Sequence, residues 1–334
     1  MMDICDRLLI GESQPILKTK ELIRHVANSD LNVIVCGESG VGKELVAQAL
    51  HLSSIRKDMP FIKVNCAAIP GELLESELFG YEKGAFTGAD RMKRGKFELA
   101  HKGTMLLDEI GDMPMFLQSK MLQVLQDLQF SRLGGKIDVK VDCWIIAATN
   151  QELEQSIREG RFREDLYYRL NIIRIFIPPL RERKDDIQPL INHFSQEFAE
   201  NSYSSRLELS GDVMEFLHQY PWPGNVRELK NVIGRLMLLG DWDTLKQELL
   251  GRGSSKISDL PQEPIVENYE RDEKKTFPPL KEVKKKAVQE AERKLISAVI
   301  QETGWNRKKA AEILQISYKA LLYKIKELDL DKNK

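Results

Sequence analysis

The sequence is poor in cysteine. Its four cysteines, Cys5, Cys36, Cys66 and Cys143, lie far apart and form no C-x-x-C pair. That argues against a disulfide-stapled scaffold and against the usual zinc-ligand spacings, and suits reduced, partly buried thiols in a cytoplasmic protein. No apolar run reaches the roughly 18 residues that a membrane-spanning helix needs, so no membrane partner is expected. The opening "MMDICDRLLIGES" has no basic stretch followed by a long apolar one, so no signal peptide is expected either. No internal repeat of roughly 20–50 residues is visible. Net charge is also nearly absent, at −1, but this hides an asymmetry. Residues 281–334 carry 14 Lys/Arg and 8 Asp/Glu, a balance of +6, so the remaining 280 residues carry −7. A basic C-terminal segment on an acidic body suggests a separate anion-binding module, or a solvated helix face.

What is present is an alternation of strands and helices. "LNVIVCGESGVGKELVAQAL" (Leu31–Leu50) reads as strand, glycine-rich loop and helix. "FIKVNCAA" (Phe61–Ala68), "GTMLLDEI" (Gly103–Ile110), "VKVDCWIIAATN" (Val139–Asn150) and "IIRIFIPPL" (Ile172–Leu180) read as four more strands. Between them, "MPMFLQSKMLQVLQDLQF" sets Leu117, Met121, Leu125 and Leu128 on one helical face. This order implies an α/β class with a parallel sheet covered by helices on both faces. After Pro179 the pattern turns wholly helical. Residues from about Gly251 to Pro279 are rich in Gly, Ser, Pro and charge and read as a linker. The division expected is 8–175 for the α/β part, 176–245 for a helical lid, 246–282 for the linker and 283–330 for a C-terminal helical domain.

Two motifs carry chemistry. "GESGVGKE" (Gly37, Glu38, Ser39, Gly40, Val41, Gly42, Lys43, Glu44) fits G-x-x-x-x-G-K between a strand and a helix. Its glycines let backbone N–H groups face phosphate oxygens, the helix N-terminus adds partial positive charge, and Lys43 pairs with the β and γ phosphates of ATP. Ser or Thr usually follows the lysine and binds Mg²⁺; here Glu44 stands in that place. A glycine-rich turn without a ligand is the alternative. In "MLLDEI", a strand ends in Asp108 and Glu109. Asp108 is placed to hold Mg²⁺ through water and Glu109 to polarise the attacking water as general base. A solvated acidic loop is the bland alternative.

Together with "GAFTGA" (Gly84, Ala85, Phe86, Thr87, Gly88, Ala89), "LLDEIGDMP", "FREDLYYRLN" and "PWPGNVREL", these motifs resemble the AAA+ ATPase domain of bacterial enhancer-binding proteins. Those are the transcription activators that work with sigma-54 RNA polymerase. Family members also carry Glu after the loop lysine. The resemblance implies a P-loop AAA+ doubly wound sheet with a helical lid. It implies that Asn65 is a switch residue pairing with Glu109. Thr149 and Asn150 match the sensor strand end near the γ phosphate. Arg163 and Arg169 match the arginine pair that reaches a neighbouring subunit's site, and Arg227 the sensor arginine of the lid. The GAFTGA loop becomes the contact to the sigma-54 holoenzyme, with "FSRLGGK" (Phe130–Lys136) as a second pore loop beside it. A homo-oligomer follows, a hexamer assembled from dimers. Many members carry an N-terminal regulatory domain; only about seven residues precede the resemblance here, so none is expected in this chain.

The C-terminal stretch "GWNRKKAAEILQISYKALLYKIKELDL" (Gly304–Leu330) reads as two helices around "QIS". Asn306 and Ser317 cap them, Ala310, Ala311 and Leu314 face inward on the first, and Leu321, Leu322 and Ile325 on the second. This all-α segment resembles a Fis-type helix-turn-helix for double-stranded DNA at upstream, enhancer-like sites. Arg307, Lys308 and Lys309 would reach phosphates. Ser317, Tyr318, Lys319, Tyr323 and Lys324 would line the second helix in the major groove. A small helical oligomerisation module is the alternative. At the level of the whole protein, two rivals remain: a DNA-bound scaffold with a silent ATPase-like domain, and a AAA+ remodeller acting on another target.

Overall fold

The computed structural model describes residues 3–201 and 209–254. Further on it describes Ile296, Val299, Thr303, 306–314, Tyr318, Leu321, Lys324 and Ile325. The chain divides into two units, 1–258 and 259–334.

Among the described residues of the first unit, nine strands form three sheets: β1 (Val33–Cys36), β2 (Phe61–Asn65), β3 (Gly80–Tyr81), β4 (Lys93–Arg94), β5 (Thr104–Asp108), β6 (Gln129–Ser131), β7 (Asp138–Lys140), β8 (Trp144–Thr149) and β9 (Ile173–Phe176). The central sheet has the order β2-β5-β8-β1-β9 and every pairing in it is parallel. Parallel strands need a crossover between neighbours, and helices supply it. The sheet alternates its side chains between two cores. Ile34, Val64, Leu107, Ile145 and Ala147 join the helices Gly71–Phe79, Met115–Asp127 and Glu164–Leu170 on one side. Val33, Val35, Leu106, Ile146 and Ala148 join Gln14–Val26 and Lys43–Leu52 on the other. Burial on both faces explains why β1, β5 and β8 read as unbroken apolar runs.

Some expectations differ in detail. The run Val139–Asn150 is not one strand. Its start, β7, pairs with β6 in an antiparallel hairpin, and β8 begins only at Trp144. Between them Val141 donates its N–H to the Leu128 carbonyl, and Asp142 is held by Arg56 and Lys102. The chain is pinned out of the sheet there. Leu128 likewise leaves the helical face. The helix ends at Asp127, and Leu128 caps it in the left-handed region (φ 54°), exposed. β9 runs to Phe176, one residue past the expected boundary at 175, and the helix Trp242–Ser254 continues across 245 into the stretch read as linker.

The lid packs Ile187–Asn201, Gly211–Gln219, Asn225–Leu239 and Trp242–Ser254 around Leu217, Trp222, Leu229 and Ile233. Asp186, fully buried, ties its base to the N-terminal segment. Its carboxylate accepts the N–H groups of Glu12 and Ser13 (2.8 Å each) and the Ser13 hydroxyl (2.7 Å), beside the buried Arg183 at 3.8 Å. Arg183 donates in turn to the Val41 carbonyl inside the glycine-rich loop. Among the described residues no helix is long and apolar enough to cross a membrane.

In the second unit, Ile296, Val299, Ala310, Ala311, Leu321 and Ile325 bury one another, with Leu314 against them. The residues 255–282 of the expected linker lie outside the described residues.

Removing the Asp186 carboxylate would leave Arg183 buried without its counter-charge. We therefore expect Asp186→Ala to lower the unfolding free energy of the first unit by ~3–5 kcal/mol, measured by denaturant titration. A loss below ~1 kcal/mol would show that the tie carries little.

Candidate functional site

The phosphate-loop residues leave β1 at its C-terminal edge. Gly42, at φ 108°, caps the helix that starts at Lys43. Gly40 sits at φ 80°, and a Cβ there would stand 2.4 Å from the Gly224 carbonyl oxygen of the lid. Only glycine permits that approach. Among the described residues, the backbone N–H groups of Gly40, Val41 and Gly42 find no acceptor in the chain. Lys43 is 7% exposed. Its ammonium donates to the carbonyls of Gly37 (3.0 Å) and Glu38 (3.4 Å) and meets the Glu109 carboxylate at 3.4 Å. Glu109 follows the end of β5 in the left-handed region, at φ 51° and ψ 52°, a costly conformation for a non-glycine residue. That turn aims its carboxylate at Lys43, and its second oxygen accepts the Asn150 N–H at 3.1 Å. Thr149, fully buried, holds the Gly37 N–H with its carbonyl. The ends of β1, β5 and β8 thus meet at one point.

Ser39, Gly40, Gly42, Lys43, Glu44, Asn65, Asp108, Glu109 and Arg227 line one cleft of about 550 Å³. Arg227 reaches the loop from the lid. Its backbone N–H donates to the Gly40 carbonyl and its guanidinium to the Ser39 hydroxyl at 3.0 Å. Beside the cleft, Leu8, Ile10, Val41, Leu45, Phe194 and Val226 line a small apolar hollow suited to a flat aromatic base. The cleft fits a nucleotide: open backbone donors, a buried ammonium and an apolar seat converge. Asp108 and Glu109 fit Mg²⁺, which usually takes one or two carboxylates and completes its shell with phosphates and water. Among the described residues no group of three or more His, Cys, Asp or Glu forms a closed metal cage. Burial and the nearby Asp108, Asp112 and Glu109 push the Cys66 thiol up to about 12, and Cys143 is pushed up to about 12 chiefly by burial. Both are poor thiolates.

Other expected residues are placed differently. Asn65 does not pair with Glu109 in this structure. Its Oδ1 accepts the N–H groups of Ala67 and Ala68 (3.0 Å each), closing the turn into the helix Gly71–Phe79. Arg163 and Arg169, expected to serve a neighbouring subunit's site, lie away from this chain's own cleft. Arg163 is forked onto Asp165 and donates to the Ser119 hydroxyl, and Arg169 donates to the Leu125 carbonyl. Three contributors were not legible in the motifs. Lys63 of β2 lies 2.6 Å from Glu44 and 3.5 Å from Asp108. Burial opposes its charge, but Glu44 and Asp108 outweigh burial and raise its pKa. Asn225, fully buried at φ 52°, donates to the Ser39 carbonyl and to Glu38 and accepts the Leu180 N–H. Arg181 forks onto Glu38 and, with Asn225, holds that carboxyl below its ordinary value. Lys63 did carry a signal: it is the one charge in the strand Phe61–Asn65.

The GAFTGA loop stands on the two-residue ladder of β3 and β4. Gly84 (φ 83°) and Gly88 (φ 101°) adopt left-handed conformations, with open space where a Cβ would be. Backbone bonds from Gly84 to Ala89 and from Ala89 to Phe86 close the loop on itself. Phe86 is 45% exposed and rests edge-on against Tyr81 at 4.9 Å. The β6–β7 hairpin lies alongside: Leu133 exchanges backbone bonds with Gly80 and Glu82. From that hairpin Arg132 donates to both Glu98 oxygens (2.8 and 2.7 Å) and to Glu82 (2.6 Å). Arg132 holds the Glu98 carboxyl below its ordinary value of 4.5, against the upward push of burial.

In the second unit, Asn306 caps the helix Arg307–Ile313 through the Lys309 N–H (3.3 Å). Lys308, Lys309 and Tyr318 are exposed, while Arg307 and Lys324 are half-buried. Ser317, Lys319 and Tyr323 lie outside the described residues.

With this geometry in hand, the comparisons decide the family. The family model for the Sigma-54 interaction domain matches residues 9–176. The chain belongs to the sigma-54 activator family. The AAA+ ATPase lid domain matches 181–262, and the Fis family of bacterial regulatory proteins matches 287–328. The first unit of this family member is accordingly an AAA+ α/β domain with its lid, and the second a Fis-type helix-turn-helix. The chain is 45% identical to the regulatory protein AtoC of Escherichia coli (strain K12) over 306 residues, covering 92% of this chain and 64% of AtoC. It is 41% identical to the transcriptional regulator NtrC of Rhizobium meliloti (strain 1021) over 336 residues, covering 96% of this chain and 69% of that one. The chain thus spans about two thirds of the length of these relatives. Among solved structures, NtrX from Brucella abortus in complex with ADP superimposes with a TM-score of 0.65 at 37% identity, over 96% of this chain and 68% of that one.

The Arg132–Glu98 tie gives a pH prediction. A carboxyl whose folded value is depressed contributes stability that is complete above its unfolded value and is lost as the pH falls through the folded one. The destabilisation caused by Arg132→Met, about 2 kcal/mol, should be full at pH 7 and shrink below pH 4.5. Thermal unfolding of both proteins across that range checks it; a difference that persists undiminished in acid would contradict it.

Proposed function

We propose that this family member is a cytoplasmic, sigma-54-dependent transcription activator. It binds ATP with Mg²⁺ in the cleft, hydrolyses it, and drives the GAFTGA loop against the sigma-54 holoenzyme so that closed promoter complexes open. The observation that carries this reading is a combination. Lys43, Asp108, Glu109 and Arg227 converge on one cleft, while Phe86 and Thr87 are presented on an exposed loop inserted in the same domain. The relatives' names support the transcriptional role, and the structures of NtrX with ADP and with ATP support the nucleotide.

Each residue then has a task. The N–H groups of 40–42 and the Lys43 ammonium receive the phosphates. Mg²⁺, when bound, neutralises charge on the phosphate oxygens. Asp108 would hold it. Glu109 lies on the open side of Lys43 and takes a proton from the attacking water; a positioned general base contributes ~10²–10⁴-fold. Asn65 lies at the end of β2 beside Asp108 in the pairing register. A shift of Asn65 from the turn at 67–68 to Glu109 would pull on the helix Gly71–Phe79, whose C-terminus runs directly into β3 and the GAFTGA loop. Arg163 and Arg169, absent from their own cleft, serve a neighbouring subunit's site, where an arginine finger adds ~10³–10⁵-fold. This requires a ring, which we take to be a hexamer assembled from dimers. Residues 283–330 tether it to upstream double-stranded DNA. Lys308 and Lys309 supply phosphate contacts that give affinity without sequence information.

Glu109→Gln tests the hydrolytic step. It should keep ATP binding and lower turnover by at least ~10²-fold in a steady-state assay. Undiminished hydrolysis would remove Glu109 from the mechanism. A wild-type chain that binds ATP without hydrolysing it would favour a DNA-bound scaffold instead.

A further inference from the structure

The residue that follows the loop lysine is usually a hydroxyl-bearing ligand to Mg²⁺. Here it is Glu44, and the structure shows what it does. β2 is the edge strand beside β5, with Lys63 opposite Leu106 and Asn65 opposite Asp108. Side chains alternate along a strand, so Lys63 shares a face with Phe61, and Phe61 packs in the core beneath the helix Lys43–Leu52. Glu44 lies in the first turn of that helix. The Lys63 ammonium therefore comes between two carboxylates, at 2.6 Å from Glu44 and 3.5 Å from Asp108. Lys43 meets the third, Glu109. Two ammonium groups thus face three carboxylates in a cleft whose Asp108 side chain is 17% exposed. Without Lys63, Glu44 and Asp108 would present an uncompensated pair of hard oxygen donors, the preferred ligands of a divalent cation.

We propose that Lys63 is a positioning residue that stands in the metal's place on Asp108 and keeps Glu44 out of ligation. The divalent cation then enters only together with the phosphates of a nucleotide, which draw it past the ammonium. Lys63 stays paired with Glu44 while Asp108 is released. This rests on the nucleotide-site reading above and adds to it: it assigns the order in which charge enters the cleft.

The test uses Mn²⁺ alone, without nucleotide, titrated into the full chain and followed by electron paramagnetic resonance. The wild type should bind Mn²⁺ weakly. Lys63→Met should bind it at least about 10-fold more tightly, because a positive charge a few ångströms from the ion has gone. Lys63→Arg should keep the wild-type behaviour. Glu44→Ala combined with Lys63→Met should lose most of the gain, since one carboxylate has been removed and no oxygen donor takes its place. Equal Mn²⁺ affinity for wild type and Lys63→Met would overturn the proposal, as would an equal gain in Lys63→Arg. If Lys63→Met fails to fold, Lys63→Gln takes its place with the same expectations. ADP binding by the wild type, measured in parallel with Mg²⁺, separates the two readings. Its absence would sink the nucleotide site itself; its presence with unchanged Mn²⁺ affinities would sink the role of Lys63 alone.

Discussion

The ammonium of Lys43 is the charge around which the first unit is arranged. It is almost wholly removed from water, so it must be met by other polar groups. The chain meets it with the carbonyls of its own loop and with Glu109, which reaches it only because the backbone turns left-handed after β5. These partners hold the ammonium and its loop in a form that phosphate oxygens can take over. The demand propagates outward. The loop must stay in its curved form, so Gly37 is tied to Thr149, and Val41 to Arg183. The lid must cover it, so Asn225 and Arg181 seize Glu38 and Arg227 seizes Ser39. Through the buried Lys43, Arg183 and Asn225, the cleft and its lid form one connected network.

The same network gives the GAFTGA loop its mechanical setting. The loop is anchored at its base and open at its tip. Backbone bonds with Leu133 and the fork of Arg132 onto Glu98 and Glu82 fasten the base to the neighbouring hairpin. At the tip, a Cβ added at Gly84 or Gly88 would meet open space. The loop's connection to the cleft is short: the turn that Asn65 closes, one nine-residue helix, and then β3.

Local chemistry was legible in the sequence, and long-range pairing was not. The phosphate loop and the Asp108–Glu109 pair announce themselves because each is a contiguous motif at a strand end. The inner strands β1, β5 and β8 are visible because burial on both faces leaves apolar runs. The break between β7 and β8 was hidden, because Val139 and Val141 continue the β-branched pattern while the residues that claim them, Phe130 and Leu128, come from the far side of a hairpin. The Asn306 cap and the inward faces of Ala310, Ala311, Leu321 and Ile325 followed from short-range rules, but Ile296 and Val299, which complete that core, come from a segment without a motif. Lys63, Arg181 and Asn225 find their partners only across the fold. The Asn65–Glu109 pair implied by the family resemblance is not made here, since Asn65 satisfies nearer backbone donors instead. Arg163 and Arg169 are matched by motif, and their proposed work lies in another subunit.

The central claim is that nucleotide state presents the GAFTGA loop to sigma-54. The most direct measurement is sigma-54 binding to the chain with ADP and a metal-fluoride mimic of the transition state, compared between wild type and Thr87→Ala. The account requires binding that depends on the mimic and disappears in the variant. Binding that ignores the nucleotide, or that survives the loss of the Thr87 side chain undiminished, would contradict it.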